Sequence, residues 1–204
     1  MLVVPKDWQE LLAWVQAEQP NVNALINNAG IQRRIAPAQD DGSWEERLAE
    51  IEINFHGPMY LSTIFIPYLL SKTEQTAILA NVSSGLASIP FFAGPVYAAT
   101  KVAIHSYTMG MRYSLQDTNV KVVEIVPPAI KTNLDSSHDC GDEVDEYVAA
   151  TIDRLQAGEE EIGFNLSEKA RLADRAMLNE LMHTLAKNMQ VEKFPATNAD
   201  DASP

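Results

Sequence analysis

Three short apolar segments alternate along the chain with longer segments of helical periodicity. They lie at about 22–27, in "TAILANVSS" (76–84) and in "NVKVVEIVPPA" (119–129), and each ends in small polar residues or prolines. None shows the apolar–polar alternation of a half-exposed strand, so each is typical of a buried strand in a parallel sheet. Strands alternating with helices predict a doubly wound parallel sheet of the α/β class, covered by helices on both faces.

Helical periodicity predicts the connecting segments and a single domain. Ser43 and Glu46 form a capping-box pattern that predicts a helix beginning there. We expect one domain over residues 1–194 and a disordered tail over 195–204. The predicted helices cover about 6–18, 43–53, 54–71, 95–117, 144–157 and 167–189, and "EEIGF" (160–164) predicts a last strand.

Charge and composition exclude several classes of function. The net charge of −13 and the sequence pI of about 4.6 argue against a nucleic-acid surface. No apolar run reaches the ~20 residues that a membrane span needs, and the charged first twenty residues do not resemble a signal peptide. The single Cys140 forms no internal disulfide, which fits a reducing cytoplasm. Four scattered histidines, among them His56 and His105, lack metal-ligand spacing, so we expect no metal site.

The residues that end the three strands are candidates for a binding site. In a parallel sheet the carboxyl ends of the strands share one edge, and ligands bind in the crevice there. Residues 27–30, Ser83 with Ser84, and residues 127–132 are therefore expected to converge.

Tyr97 and Lys101 form a candidate acid/base pair. Four residues apart on a predicted helix, they share a face. A free phenol with a pKa of about 10 is a poor base at neutral pH, and a nearby ammonium would lower that pKa. Tyr68 and Lys72 have the same spacing, but no serine precedes Tyr68 at the distance that separates Ser84 from Tyr97. We therefore interpret the Tyr68 pair as structural.

Five motifs occur in an order that resembles a known family. They are "NNAG" (27–30), "NFHG" (54–57), "NVSSG" (81–85), "YAATK" (97–101) and "PPAIKT" (127–132). Their order and spacing resemble the short-chain dehydrogenase/reductase family, and the last motif with the C-terminal segment looks most like the DltE-like subgroup. The resemblance implies an NAD(P)-dependent oxidoreductase that interconverts an alcohol and a carbonyl.

The resemblance also implies a role for each residue of the catalytic group. Tyr97 would be the general acid/base, and Lys101 would lower its pKa and hold the nicotinamide ribose. Ser84 would donate a hydrogen bond to the substrate oxygen, with Ser83 as the less favoured alternative. Asn54 would anchor a water that connects Lys101 to solvent.

A further set of residues would bind the NAD or NADP cofactor. Asn27, Ala29 and Gly30 would line its adenosine side, while Ile130 and Thr132 would contact the nicotinamide carboxamide and a neighbouring phosphate. Tyr97 and Lys101 would contribute to both catalysis and cofactor binding. The substrate would be a small-molecule alcohol or carbonyl.

The N-terminal part of the family pattern is missing from this sequence. Members begin with a strand, a glycine-rich phosphate turn and a helix, yet nothing similar precedes Lys6, and neither GxGxxG nor TGxxxGxG occurs. We therefore expect an N-terminally truncated Rossmann-like fold whose first strand, at 22–27, has an open edge. Two explanations stay open: a longer working protein with an upstream start, or a short, degenerate member.

Two hypotheses for function follow. The first is the oxidoreductase. The second is a non-catalytic chain that binds a partner through the open sheet edge or through the helices at 54–71 and 95–117. Because members of the family commonly associate through those two helices, we expect a homo-oligomer under either hypothesis.

Overall fold

The fold is built on a sheet of four parallel strands. A computed structural model describes residues 5–35, 43–134 and 140–189. The strands lie in the order β1-β2-β3-β4, all parallel. Their carboxyl ends therefore share one edge, as the sequence predicts. The strands are β1 (Ala24–Asn27), β2 (Ala77–Val82), β3 (Val120–Val126) and β4 (Glu161–Gly163).

Seven α-helices occur in the described residues, mostly where periodicity predicts them. Ser43 caps α2 as expected: its Oγ accepts from Glu46 N at 3.2 Å, and the Glu46 carboxylate accepts from Ser43 N at 3.3 Å. The helices are α1 (Pro5–Glu18), α2 (Trp44–Ile51), α3 (Gly57–Leu70), α4 (Pro95–Leu115), α5 (Val144–Gln156), α6 (Asn165–Leu172) and α7 (Arg175–Met189).

Helices cover both faces of the sheet, which confirms the doubly wound α/β prediction. On one face Leu79 and Val122 pack with side chains of α1, α3 and α4, including Val15 and Leu69. On the other face Val123, Ile125 and Ile162 pack against Tyr147 and Leu155 of α5. The side chains of successive strand residues alternate between the two apolar layers, so β2 and β3 are buried on both sides.

A π-helical turn joins α2 to α3. The sequence predicts two consecutive helices with a boundary near residue 54, and the structure instead has one continuous helical path in which Glu52–His56 forms a π-turn. Such turns are rare and are often found at functional sites. Asn54 lies within this turn.

The predicted single helix over 167–189 is wrong. The chain leaves helical geometry at Ala173, where φ is −73° and ψ is 144°. Asp174 then accepts a hydrogen bond from Met177 N at 2.8 Å and caps α7. An aspartate at that position is a helix-start signal inside a periodic pattern, and it divides the segment into α6 and α7.

The outer side of β1 is open among the described residues. There β1 is the first strand of the sheet and pairs with β2 alone. Ile26 is 51% exposed, unusually high for an isoleucine in a strand. This agrees with the predicted open edge, while the predicted tail at 195–204 lies outside the described residues.

Candidate functional site

Asn54 links the π-turn to two other parts of the site. Its side chain is 1% exposed. Its Nδ2 donates to Ile31 O at 2.8 Å and to Thr100 Oγ1 at 3.2 Å, while its Oδ1 accepts from Ile31 N at 2.8 Å. Asn54 therefore fixes the loop after β1 and the first turns of α4 with one side chain.

Lys101 is a buried cation at the carboxyl end of β2. It is 4% exposed, and its Nζ donates to Val82 O at 2.9 Å. Burial penalises the charged amine and lowers the Lys101 pKa to about 8. At neutral pH the side chain is therefore still an ammonium, held beside the strand end that carries Ser83 and Ser84.

Tyr97 lies one helical turn before Lys101, and its ring is near the ammonium. The Lys101 Nζ is 5.5 Å from the centroid of the Tyr97 ring, and Tyr97 is 5% exposed. The structure thus brings together three of the predicted catalytic residues: Asn54, Tyr97 and Lys101.

Sequence reasoning missed Thr100, which connects Asn54 to Tyr97. Its Oγ1 accepts from Asn54 Nδ2 and donates to Tyr97 O at 2.7 Å. Thr100 is buried, with 4% of its surface exposed. A threonine within a helix gives no signal of such a role, because its use depends on which side chain lies opposite.

The two serines after β2 have different environments. Ser84 caps the 3₁₀ turn at Gly85–Ala87, where its Oγ accepts from Leu86 N at 3.1 Å. Because the oxygen is the acceptor in that bond, the Ser84 hydroxyl hydrogen can be donated to another group. Ser83 is 1% exposed and its Oγ donates to Ile125 O at 3.5 Å, inside the sheet. The surroundings of Ser84 therefore suit a substrate contact better than those of Ser83.

Gly30 brings the loop after β1 against Asn54 and Lys101. A Cβ added at Gly30 would lie 3.3 Å from Asn54 Oδ1 and 3.7 Å from Lys101 Nζ. This space is open only because the residue has no side chain. Ala29, which precedes it, is exposed.

The Asn27 side chain does not face this edge. Its Nδ2 donates to Asn81 Oδ1 at 2.8 Å and to Ser62 Oγ at 3.1 Å, beneath α3. Asn81 in turn donates to Thr108 Oγ1 at 2.9 Å. Any contact between Asn27 and a bound molecule at the edge must therefore use its main chain.

Ile130 and Thr132 lie on the loop after β3, at the same edge of the sheet. Ile130 forms a parallel bridge with Asp142, and the neighbouring Lys131 N donates to Asp142 O at 3.1 Å. Thr132 is exposed, with its Oγ1 accepting from Leu134 N at 3.4 Å. The loop is tied to the Ser84 turn because Gly85 N donates to Pro127 O at 2.9 Å.

The second tyrosine–lysine pair has a structural role. Tyr68 Oη donates to Val22 O at 3.0 Å, and Lys72 Nζ donates to Pro20 O at 2.5 Å while lying 4.2 Å from the Tyr68 ring centroid. Both groups fasten the end of α3 to the chain before β1, away from the carboxyl edge. This agrees with the structural interpretation of the pair.

The two histidines considered for metal binding are each paired with a carboxylate. His56 Nδ1 is 2.8 Å from Glu52, and His105 Nδ1 is 2.8 Å from Glu124. Over residues 5–35, 43–134 and 140–189, no group of three or more histidine, cysteine, aspartate or glutamate side chains could hold a metal ion. Within the same residues, no helix has both the length and the apolar character needed to cross a membrane.

Comparisons with known proteins agree with these observations. The sequence profile of the family described as "short chain dehydrogenase" matches residues 3–141. The chain is 39% identical over 188 residues to the "uncharacterized oxidoreductase DltE" of Bacillus subtilis (strain 168), covering 87% of this chain and 72% of that protein. It is 32% identical over 119 residues to the NADP-dependent 3-hydroxy acid dehydrogenase YdfG of Escherichia coli (strain K12), covering 58% of this chain and 47% of YdfG.

A solved structure shows the same fold. A short chain dehydrogenase from Burkholderia cenocepacia J2315, in complex with NADP, matches with a TM-score of 0.73 and 24% identity, covering 93% of this chain and 79% of that one. The chain thus spans about half the length of YdfG and larger shares of the other two.

Proposed function

Because the chain belongs to the short-chain dehydrogenase/reductase family, we propose that it transfers a hydride between NAD or NADP and a small-molecule alcohol or carbonyl. The observation that carries this proposal is the buried Lys101 ammonium, with its Nζ on Val82 O and 5.5 Å from the Tyr97 ring centroid. Burying a cation costs desolvation free energy, and a cation beside a phenol stabilises the phenolate through which a proton can be exchanged with the substrate oxygen.

In the proposed reaction Tyr97 moves the proton at the substrate oxygen. During alcohol oxidation its phenolate accepts the hydroxyl proton, and during carbonyl reduction its phenol donates one. Lys101 stabilises the phenolate by its charge. The Ser84 hydroxyl donates to the same substrate oxygen and stabilises the negative charge that develops there. When bound, the nicotinamide supplies or accepts the hydride.

Asn54 would anchor a water that relays protons between Lys101 and solvent. The side-chain oxygen and nitrogen of Asn54 are already hydrogen-bonded to Ile31 and Thr100. The relay water would therefore bond to the Asn54 main chain within the π-turn. Thr100 would keep the Tyr97 turn of α4 in place relative to Asn54.

The residues present fit the nicotinamide-ribose end of the cofactor. At Gly30 the missing side chain leaves a place beside Lys101 that a Cβ would fill. There Lys101 would donate to ribose hydroxyls, and Ala29 with the Asn27 main chain would continue the groove toward the adenosine. Ile130 and Thr132 would meet the carboxamide and a phosphate from the opposite loop.

Binding of a nicotinamide nucleotide is the direct test. We expect purified chain to show a saturable rise in melting temperature with NADH or NADPH, and a 100-fold excess over Kd corresponds to about 2.7 kcal/mol of added stability. Adenosine monophosphate at the same concentrations is the control for binding through the adenosine alone. A folded chain whose melting temperature rises with neither nucleotide contradicts the proposal.

The open side of β1 favours a second candidate function. Ile26, 51% exposed on a strand that pairs on one side among the described residues, suits pairing with a strand of a partner protein. The nucleotide titration separates the two functions, because partner binding at β1 requires no nucleotide. Under both functions we propose one domain over 1–194 and a cytoplasmic location, which is supported by a single cysteine that cannot form an internal disulfide.

We also propose self-association through α3 and α4. On α4, Val102, Met109 and Tyr113 are 46%, 48% and 76% exposed and lie at helical spacing along one side. Such a stripe is typical of a covered surface in an oligomer.

Replacing Met109 by glutamate is expected to convert a homodimer into monomers. The charge would be desolvated at the centre of the proposed contact, which costs more than a dimer of ordinary size can lose. Size-exclusion chromatography with light scattering measures the result. Val148→Glu on α5, at a residue 46% exposed on another surface, is the matched control. A monomeric wild-type chain contradicts the interface.

A further inference from the structure

A buried carboxylate lies beside the site and has no part in the proposed reaction. Glu50, at the end of α2, is 1% exposed. Its Oε1 accepts from Arg33 N at 2.8 Å. Burial raises the Glu50 pKa, while that hydrogen bond and the charges of Arg33 and Arg47 act in the opposite direction. A methionine or leucine would fill the same place without the cost of desolvating a carboxylate, so the residue suggests a specific use.

Glu50 and Asn54 hold the same short segment of chain. The two are four residues apart along the helical path, and so project to one side of it. Asn54 bonds both the N–H and the carbonyl of Ile31, and Glu50 bonds the N–H of Arg33. Segment 30–33 is therefore fixed at two points, two residues apart, by two buried side chains.

The far side of this segment meets the start of α4. A Cβ added at Gly94 would lie 2.7 Å from Arg33 O, so the Arg33 carbonyl packs against the glycine that precedes α4. Tyr97 follows three residues later. Segment 30–33 thus lies between the end of α2 and the turn that carries the acid/base tyrosine, with Gly30 against Asn54 and Lys101.

We propose that Glu50 is a positioning residue that holds the Arg33 main chain and thereby keeps Gly30 in the groove that receives the nicotinamide ribose. The inference rests on the proposed function, because the groove has that role only in a nicotinamide enzyme. Glu50 acts through the backbone and touches neither substrate nor cofactor. Its loss changes the affinity for the nucleotide more than the rate of the chemical step.

The test compares two substitutions of similar size. Glu50→Met removes the acceptor and fills the space with apolar atoms, and Glu50→Gln keeps a carbonyl oxygen that can accept from Arg33 N. Loss of one hydrogen bond to a charged acceptor is expected to raise the KM for NADH or NADPH about tenfold and to leave kcat within about twofold. Glu50→Gln should stay close to wild type. Glu45→Gln, an exposed carboxylate on the same helix, is the control.

Hydrogen exchange tests, without any nucleotide, whether Glu50 holds the Arg33 main chain. In the free chain, Glu50→Met should speed amide exchange in peptides covering 28–35 about tenfold, with Glu50→Gln unchanged. If exchange is unchanged in Glu50→Met, the inference that Glu50 holds the Arg33 main chain is wrong. Faster exchange with an unchanged KM, or a kcat loss with an unchanged KM, overturns the positioning role. A wild-type chain that binds no nucleotide overturns the proposed function, and with it the positioning role, while exchange still reports whether Glu50 holds Arg33.

Discussion

Tyr97→Phe is expected to lower kcat/KM by a factor of about 10²–10⁴, the contribution that a positioned acid/base usually makes. The substitution removes one hydroxyl from a side chain that is 5% exposed and leaves the ring that packs near Lys101. Nucleotide binding should persist, because the ring and Lys101 remain. Steady-state rates with a panel of alcohols and carbonyls, alongside the nucleotide titration, measure both effects.

Tyr68→Phe is the matched control within the same chain. It makes the same chemical change four residues before a lysine, but the lost bond is the one to Val22 O. We expect activity within about twofold of wild type and a loss of about 1 kcal/mol of stability. If Tyr97→Phe retained wild-type activity, the hydride-transfer proposal would be wrong, and the partner-binding function would become the better explanation.

The parts of the fold that the sequence predicts are those with local causes. The apolar strands, the Ser43–Glu46 capping box and the convergence of strand ends each follow from short patterns, and the structure confirms them. The Tyr97–Lys101 proximity likewise follows from a spacing of four on one helix. The break before α7 also has a local cause, the Asp174 cap, but helical periodicity on both sides conceals it.

The parts that could not be predicted depend on residues far apart in the chain. Asn54 meets Thr100, 46 residues away, and Asn27 meets Asn81, 54 residues away. No pattern within a single segment shows which donor will face which acceptor. The burial of Glu50 is of this kind, since a glutamate in an amphipathic helix is ordinarily exposed.

Lys101→Met is expected to abolish most activity and yet leave the free energy of unfolding nearly unchanged, or slightly higher, at pH 7. Burial lowers the Lys101 pKa from 10.5 to about 8, a change equivalent to about 3 kcal/mol. That penalty disappears with the charge. The bond to Val82 O, which also disappears, contributes about 1.5–3 kcal/mol, so the two effects nearly cancel.

The pH dependence of stability tests whether burial of the Lys101 ammonium causes this effect. Between about pH 8 and pH 10.5 the unfolded chain keeps the Lys101 proton while the folded chain releases it, so wild-type stability gains with rising pH relative to Lys101→Met. Below about pH 8 both states of the wild type are protonated, and the difference between the two proteins stays constant. Denaturant unfolding of both proteins from pH 6.5 to 9.5 measures this difference. A difference that does not change above pH 8 would mean that burial does not lower the Lys101 pKa. The buried Lys101 ammonium would then no longer support the proposed function.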